Sequence, residues 1–420
     1  SAHLRDFDLH EDFQSAYKSF HSTETALLRV KQDILQEIDQ KKAVLLVILD
    51  LSVAFDSLEH SILLARLQTD YGIKDTALQW FTSYLTGRSS CVSVKGKYSE
   101  THTLKYGVPQ GSVLGPQLFT MYIKPVGDII KHHGLRYHLY ADDTQIYCTF
   151  DPRNPASLNE ARNKLEKCVC ELSRWMTSNM LKLNEDKTEI LVLSSSRLRP
   201  TGDLSLQIGN TTVDVSTTVK NLGVYFDQTL SMSDHVRRVC QIANFHLRNI
   251  FHVRKYLTEE ACNHAVRSLV LSRLDYGNSL LANINASDVK RLQKIQNRAA
   301  RLVFGARRRE PSAPLLKQLH WLPIKERIDY KLALLVYKCM MSTAPQYLSN
   351  LLTTPAVSRY HLRSQNDKTL LQIPRTNTKA AERSFSYAGP AIWNTLPQHL
   401  RLCDTEDTFK KKLKTQLFPS

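Results

Sequence analysis

The chain has 420 residues, 42% of them hydrophobic and 23% charged, with 14 Gly and 15 Pro. This composition excludes a disordered, collagenous or coiled-coil protein and supplies enough apolar mass for two or three domain-sized cores. No apolar run approaches the ~18 residues of a membrane span. The longest, Ala43–Leu49, is strand-sized. The first residues, Ser-Ala-His-Leu-Arg-Asp, lack the charged-then-apolar pattern of a secretory signal. Eight cysteines are scattered without a Cys-x-x-Cys pair, a usage that predicts reduced intracellular thiols; with neither a signal nor a membrane span, nucleus or cytoplasm and no membrane partner are expected.

The net charge of +16 is unevenly placed. Residues 1–200 hold 24 Lys+Arg and 24 Asp+Glu, whereas residues 201–420 hold 32 and 16, which is the whole excess. A neutral half joined to a strongly basic one points to a polyanionic partner for the second half, most often nucleic acid.

In chain order, residues 22–40 predict an amphipathic helix, capped by Ser22 or Thr23 and carrying Ala26, Leu27, Val30, Ile34, Leu35 and Ile38 at helical spacing. Ala43–Asp50 follows as an unbroken, β-branched-rich strand that must be covered on both faces, yet it ends in an aspartate. Leu58–Leu67 and Asp75–Tyr84 read as helices, 91–108 as a hairpin around Lys95-Gly96-Lys97, and Gly111–Ile123 as a helix. Leu135–Phe150 reads as a second hairpin with Ala141-Asp142-Asp143-Thr144 at its turn. A long helix over 156–179, a strand over 189–193 and short strands over 204–226 turning at Gly209-Asn210 come next. From Ser233 the pattern is helical. Boundaries fall near 228–233, where strand content and neutrality stop, and near 353–365, where Thr, Pro and Ser collect.

Asp50, Asp142 and Asp143 bear on chemistry together. Anions at the ends of apolar strands are costly to desolvate, and divalent cations remove that cost. Brought side by side, Asp50 and Asp142 would supply hard oxygen ligands for a pair of Mg²⁺ ions about 4 Å apart, suited to in-line displacement at phosphorus. Alone, an Asp-Asp pair in a turn is ordinary turn chemistry. In the basic half, Arg291, Lys294, Arg298 and Arg301 recur beside the apolar stripe Leu292, Ile295, Ala299 and Leu302, with Arg307-Arg308-Arg309 following. Such an array suits salt-sensitive phosphate contacts; a solvated charged face is the alternative.

The motifs occur in a telling order. Leu49-Asp50-Leu51-Ser52-Val53-Ala54-Phe55-Asp56-Ser57-Leu58-Glu59-His60 resembles motif A of reverse transcriptases, and Tyr106-Gly107-Val108-Pro109-Gln110-Gly111-Ser112-Val113-Leu114-Gly115-Pro116 resembles motif B. Tyr140-Ala141-Asp142-Asp143 resembles motif C, Leu181–Glu189 motif D and Asn221-Leu222-Gly223-Val224 the primer grip. With Gln14-Ser-Ala-Tyr and His21–Leu28 upstream, the wording is similar to non-LTR (LINE-type) retrotransposon polymerases. The likeness continues through Ser272–Tyr276, Leu292–Leu302, Leu319–Pro323, Ala344–Leu348, Arg383–Ser386, Trp393–Pro397 and Leu413–Phe418.

The resemblance implies an α+β right-hand polymerase. Residues 1–42 would be partial fingers, 43–230 the palm (an antiparallel sheet backed by helices, with primer grip), 231–355 a helical thumb and 356–420 a basic C-terminal segment. It implies RNA-directed DNA polymerisation with two Mg²⁺, Mn²⁺ substituting, and RNA template, DNA primer and dNTPs as partners. Asp50, Asp142 and Asp143 would be catalytic and bind the metals. Phe55 would crowd the sugar 2′ carbon and select dNTPs, Gln110 would reach the triphosphate or its sugar, and Lys187 the leaving pyrophosphate. Gly111, Leu222, Gly223, Arg291, Lys294, Arg298 and Arg301 would meet template and primer. Complete relatives carry an endonuclease and earlier fingers strands before the first match near Gln14, which implies N-terminal truncation. It also leaves a second reading, a non-polymerising remnant that binds RNA or DNA through its basic half.

Overall fold

The computed structural model describes residues 2–52, 55–199, 204–209, 211–354 and 369–418. Val53 and Ala54 of the motif A stretch, Asn210 of the expected turn, and most of the expected boundary at 353–365 with the start of the 356–420 segment lie outside the described residues. The chain forms two compact units, one from residues 1–21, 44–192 and 200–216, the other from 22–43, 193–199 and 217–420.

The first unit is built on a six-stranded sheet. Its strands are β1 (Ala43–Leu49), β2 (Arg136–Tyr140), β3 (Asp143–Phe150), β4 (Glu189–Leu193), β5 (Ser205–Ile208) and β6 (Thr211–Ser216), in the order β5-β6-β4-β1-β3-β2. All seven residues of β1 are buried, which is why an unbroken Val/Ile/Leu run is stable there: neither face of a central strand meets water. The hairpins β2–β3 and β5–β6 are antiparallel, with Tyr140 opposite Asp143 and Ile208 opposite Thr211. The pair β4 and β6 runs parallel, with Ile190 opposite Val215, so the antiparallel-rich sheet is mixed. The Pro155–Ser178 helix buries Leu165, Cys168, Val169, Leu172 and Met176 on one face.

Local chemistry explains most boundaries. At Lys95-Gly96 both φ angles are positive (50° and 79°) and Val94 pairs with Lys97, the tight mirror-image turn that glycine favours. The helix expected from Gly111 begins only at Gly115. Gly111 has φ +78°, Ser112 N donates to Pro109 O at 3.2 Å and Ser112 Oγ accepts from Gly115 N at 3.0 Å, so a separate turn precedes the helix.

The second unit gathers the Thr23–Asp39 helix with the C-terminal helices. Ser22 caps that helix, its side chain accepting from Thr25 N. The helix is held by polar bonds to distant segments: Gln32 Nε2 donates to Ser386 Oγ at 2.8 Å, and Ser279 Oγ donates to Glu24 at 2.6 Å. Within the same unit β7 (Thr218–Asn221) and β8 (Val224–Asp227) form a hairpin, Asn221 opposite Val224. All eight cysteines are unpaired thiols. No helix among the described residues is long and apolar enough to cross a membrane.

Lys31, 1% exposed, donates from Nζ to Leu280 O at 2.6 Å. Burial first, then the Arg383 charge, push its ammonium down to about 7 from 10.5, against the pull of Asp227. The unfolded chain therefore binds one more proton than the folded one between those values, so this residue makes stability rise with pH from about 7 to about 10.5. Lys31→Met should flatten that rise; thermal denaturation at pH 7, 8.5 and 10 measures it, and an unchanged slope would refute the assignment.

Candidate active site at the carboxylate end of the sheet

Asp50 is delivered by β1 and then pinned. Its carbonyl accepts from Asn184 N at 2.9 Å, and the next two residues pair antiparallel with Lys182–Leu183. That pairing brings the Glu185–Lys187 turn alongside. Lys187 Nζ then lies 3.1 Å from Asp50 Oδ2. Asp142 and Asp143 come from the turn between β2 and β3, beside β1 in the sheet. All three carboxylates are half-buried.

Their electrostatics record the crowding. Burial raises the Asp143 carboxyl, and the charges of Asp142 and Asp50 raise it further, to about 6, with Lys187 opposing. Asp142 is likewise raised, by burial and then Asp50, again against Lys187. Three anions facing one lysine leave an excess of negative charge. The donor set, hard carboxylate oxygens short of counter-charge, fits a divalent cation. Among the described residues no three acidic, His or Cys side chains are already gathered into a metal cage.

The turn that presents the aspartates is strained and braced. Ala141 sits at φ 54°, a left-handed conformation costing a non-glycine residue roughly 1 kcal/mol or more. Gln14, 3% exposed, accepts from Ala141 N at 3.0 Å and from Ala16 N at 2.9 Å, and donates to Ala141 O at 3.3 Å. The same segment pairs with β2 through Ser15 N to Leu139 O and Leu139 N to Phe13 O, both 2.9 Å. Gln14 is thus a buried clamp on the acidic turn; the sequence marked it only as part of an upstream match.

The loops flanking the aspartates are latched together. Phe55 is half-buried, stacks on Phe119 with centroids 4.6 Å apart, and meets the Tyr17 ring edge-on at 6.4 Å. The Tyr17 hydroxyl is raised by burial and by the Asp142 charge. Val108 N donates to Phe55 O at 3.1 Å and Gly107 N to Leu58 O at 2.8 Å. Gly107, at φ +78°, has room for no side chain: a Cβ would lie 2.9 Å from the Asp56 backbone. His60 Nε2 and Arg88 Nη1 both donate to Gly107 O, at 2.7 and 2.9 Å. The Gln110 amide donates to both carboxylate oxygens of Asp56, at 2.8 and 2.9 Å. Gly111 faces open space, with no protein atom within 4 Å of where a Cβ would be. Asp56, His60 and Arg88 are therefore supports that residue pattern alone did not identify, because their partner is one backbone carbonyl or one amide far along the chain.

The remaining candidates lie in the second unit. Leu222 (φ 44°) and Gly223 (φ 83°) make the β7–β8 turn. Tyr276 braces it, its hydroxyl donating to Leu222 O at 2.7 Å. On the Ala286–Phe304 helix, Arg291, Lys294 and Arg298 are exposed and Arg301 half-buried. Leu292, Ile295 and Ala299 form the buried face, with Leu302 half-exposed. Arg291 pairs with buried Asp288 at 3.1 Å, Arg298 bonds Asn244, and Arg301 Nε donates to Glu310 O at 2.9 Å.

An antiparallel-rich sheet that carries Asp50 at the end of β1 and Asp142 and Asp143 at the β2–β3 turn, with Lys187 against Asp50, has the architecture of a right-hand polymerase fold. The family model described as reverse transcriptase (RNA-dependent DNA polymerase) matches residues 1–226, and the chain belongs to that family. Within it the chain groups with the non-LTR, LINE-type polymerases. It is 27% identical over 305 residues to the probable RNA-directed DNA polymerase from transposon BS and 26% identical over 301 residues to that from transposon X-element, both of Drosophila melanogaster; each match covers 70% of this chain and 32% of the relative. The chain thus spans about a third of the length of these relatives. A telomerase structure from Candida albicans, in complex with a fragment of telomeric RNA, aligns over 76% of this chain and 52% of that one, at 12% identity and a TM-score of 0.37.

Gln14→Ala should cost about 1–3 kcal/mol, the price of leaving buried donors unsatisfied. Urea denaturation of the two forms reads the difference, and a loss below ~0.5 kcal/mol would show that Gln14 does not hold the turn.

Proposed function

We propose that the chain performs RNA-directed DNA polymerisation, extending a DNA primer on an RNA template with dNTPs. The observation that supports this reading best is the mutual repulsion of Asp50, Asp142 and Asp143 across β1 and the β2–β3 turn, balanced by Lys187 alone among the charges acting on Asp142 and Asp143. Reverse transcriptases are divalent-metal-dependent as a class. In this chain Asp50 and Asp142 would hold the cations, Mg²⁺ or in its place Mn²⁺, with Asp143 beside them. When bound, the cations supply charge neutralisation for the nucleotide phosphates and a lowered pKa for a primer hydroxyl.

The protein groups have distinct tasks in this reading. Lys187, on its exposed turn beside Asp50, would follow the charge of the departing pyrophosphate and carry a proton to it. Phe55, its ring fixed by Phe119 and its backbone by Val108, would present a rigid apolar wall to the sugar and disfavour a 2′-hydroxyl. Gln110, held at a fixed angle by Asp56, would offer its remaining hydrogen-bonding capacity to the nucleotide. Gly111 would let the templating strand approach the backbone. Residues 43–230 would act as the palm, with Leu222 and Gly223 as a primer grip and Arg291, Lys294, Arg298 and Arg301 as phosphate contacts.

Primer extension on an RNA template with Mg²⁺ tests the reading. Asp142→Asn should lower the rate by roughly 10³-fold or more, because a carboxylate that offsets cation charge is lost. Binding of template–primer without extension by the unmutated chain would overturn it. Phe55→Ala should reduce discrimination against ribonucleotides by roughly tenfold or more; competition between dNTP and rNTP for one template position measures the ratio.

A further inference from the structure

The second unit contains a groove of about 470 Å³ between the Ser233–Val253 helix and the C-terminal end of the Ala286–Phe304 helix. Among the described residues five arginines line it, Arg248, Arg254, Arg298, Arg301 and Arg308, and no acidic side chain does so. Phe251 also lines it and is 68% exposed. Five guanidiniums repel one another, and the Phe251 ring stands open to water beside them. Each feature becomes favourable when an anion with a flat apolar face fills the groove.

The arginines are also partly preorganised. Arg254 donates to Leu302 O and Val303 O, the terminal carbonyls of the second helix, and to Leu257 O, all at 2.8 Å. Arg301 is held by Glu310 O at 2.9 Å and Arg298 by the Asn244 amide oxygen. Arg248 and Arg308 stand exposed at the surface. Guanidiniums already fixed by backbone carbonyls lose little freedom on meeting phosphate, and their planar forks suit phosphate oxygens.

We propose that this groove binds an unpaired nucleic-acid strand, its phosphates on the arginines and one base stacked on Phe251. A double helix does not fit this chemistry, because its base faces are already stacked inside and only its backbone is offered. The size agrees: the groove falls within the roughly 300–1,000 Å³ of sites that enclose small organic groups, enough for one or two nucleotides. The inference rests on the nucleic-acid-handling reading above and deepens it: Arg298 and Arg301, placed there among the phosphate contacts, meet a single strand together with Arg248, Arg254, Arg308 and Phe251.

Fluorescence anisotropy of the full chain with a labelled 12-nucleotide oligo-rU, an oligo-dT of the same length and a blunt duplex tests the proposal. Arg248→Glu combined with Arg308→Glu should weaken single-strand binding tenfold or more and reduce the slope of log affinity against log salt by about 1 to 2. Both positions are exposed, so folding is not at stake. Phe251→Ala should cost single strands about five- to tenfold and leave the duplex unchanged, whereas Phe251→Trp should restore binding. Preference for oligo-rU would assign the groove to template, and preference for oligo-dT to a DNA strand; either supports the proposal. Unchanged single-strand affinity in Phe251→Ala, or an equal loss for duplex, overturns it. A chain that extends no primer yet loses single-strand affinity on these substitutions would sink the polymerase reading and leave the groove standing.

Discussion

Everything at the proposed active site depends on placing like charges where they repel. A strand buried on both faces, Ala43–Leu49, ends in Asp50, and the neighbouring hairpin turns through Asp142 and Asp143. Half-burial and mutual repulsion raise both turn carboxyls, Asp143 to about 6. A fold tolerates such a cluster when the gain from a rigid hydrophobic sheet exceeds the local cost, and a cation-binding function gives the cost a use. Lys187 limits the strain, an ammonium held by a two-residue strand pairing rather than by a bulky core.

Around that centre the protein uses backbone carbonyls and single buried amides as its fasteners. Gln14 holds Ala141 in a conformation that alanine disfavours. His60 and Arg88 converge on one carbonyl, that of Gly107, where only hydrogen fits beside Asp56. Tyr276 does the same for the Leu222 carbonyl in the other unit. These bonds are short in number but span many residues, so loops that handle a ligand stay shaped without a thick core beneath them.

Much of the fold was legible beforehand because periodicity and capping are local. The helix after Ser22, the strand ending at Leu49 and the strand Glu189–Leu193 stand where their patterns put them. The start of the helix after Gly111 did not, since Gly111 and Ser112 make a turn of their own first. The parallel pairing of β4 with β6 also left no trace in either strand's composition. Among the candidate site residues, the acidic trio and Lys187 were readable from motif order. That the Gln110 amide is spoken for by Asp56 was not.

The amino-acid order alone determined the family, the acidic residues and the split between a neutral and a basic half, because these are properties of residue identity and spacing. Tertiary structure alone decided which groups balance one another: Lys187 against Asp50, Asp56 against Gln110, Gln14 against a strained alanine, and five arginines around one exposed phenylalanine. Electrostatic and hydrogen-bond energies depend on distances of a few ångströms. Positions as far apart as Asp50 and Lys187, 137 residues along the chain, acquire such distances only when the chain has folded.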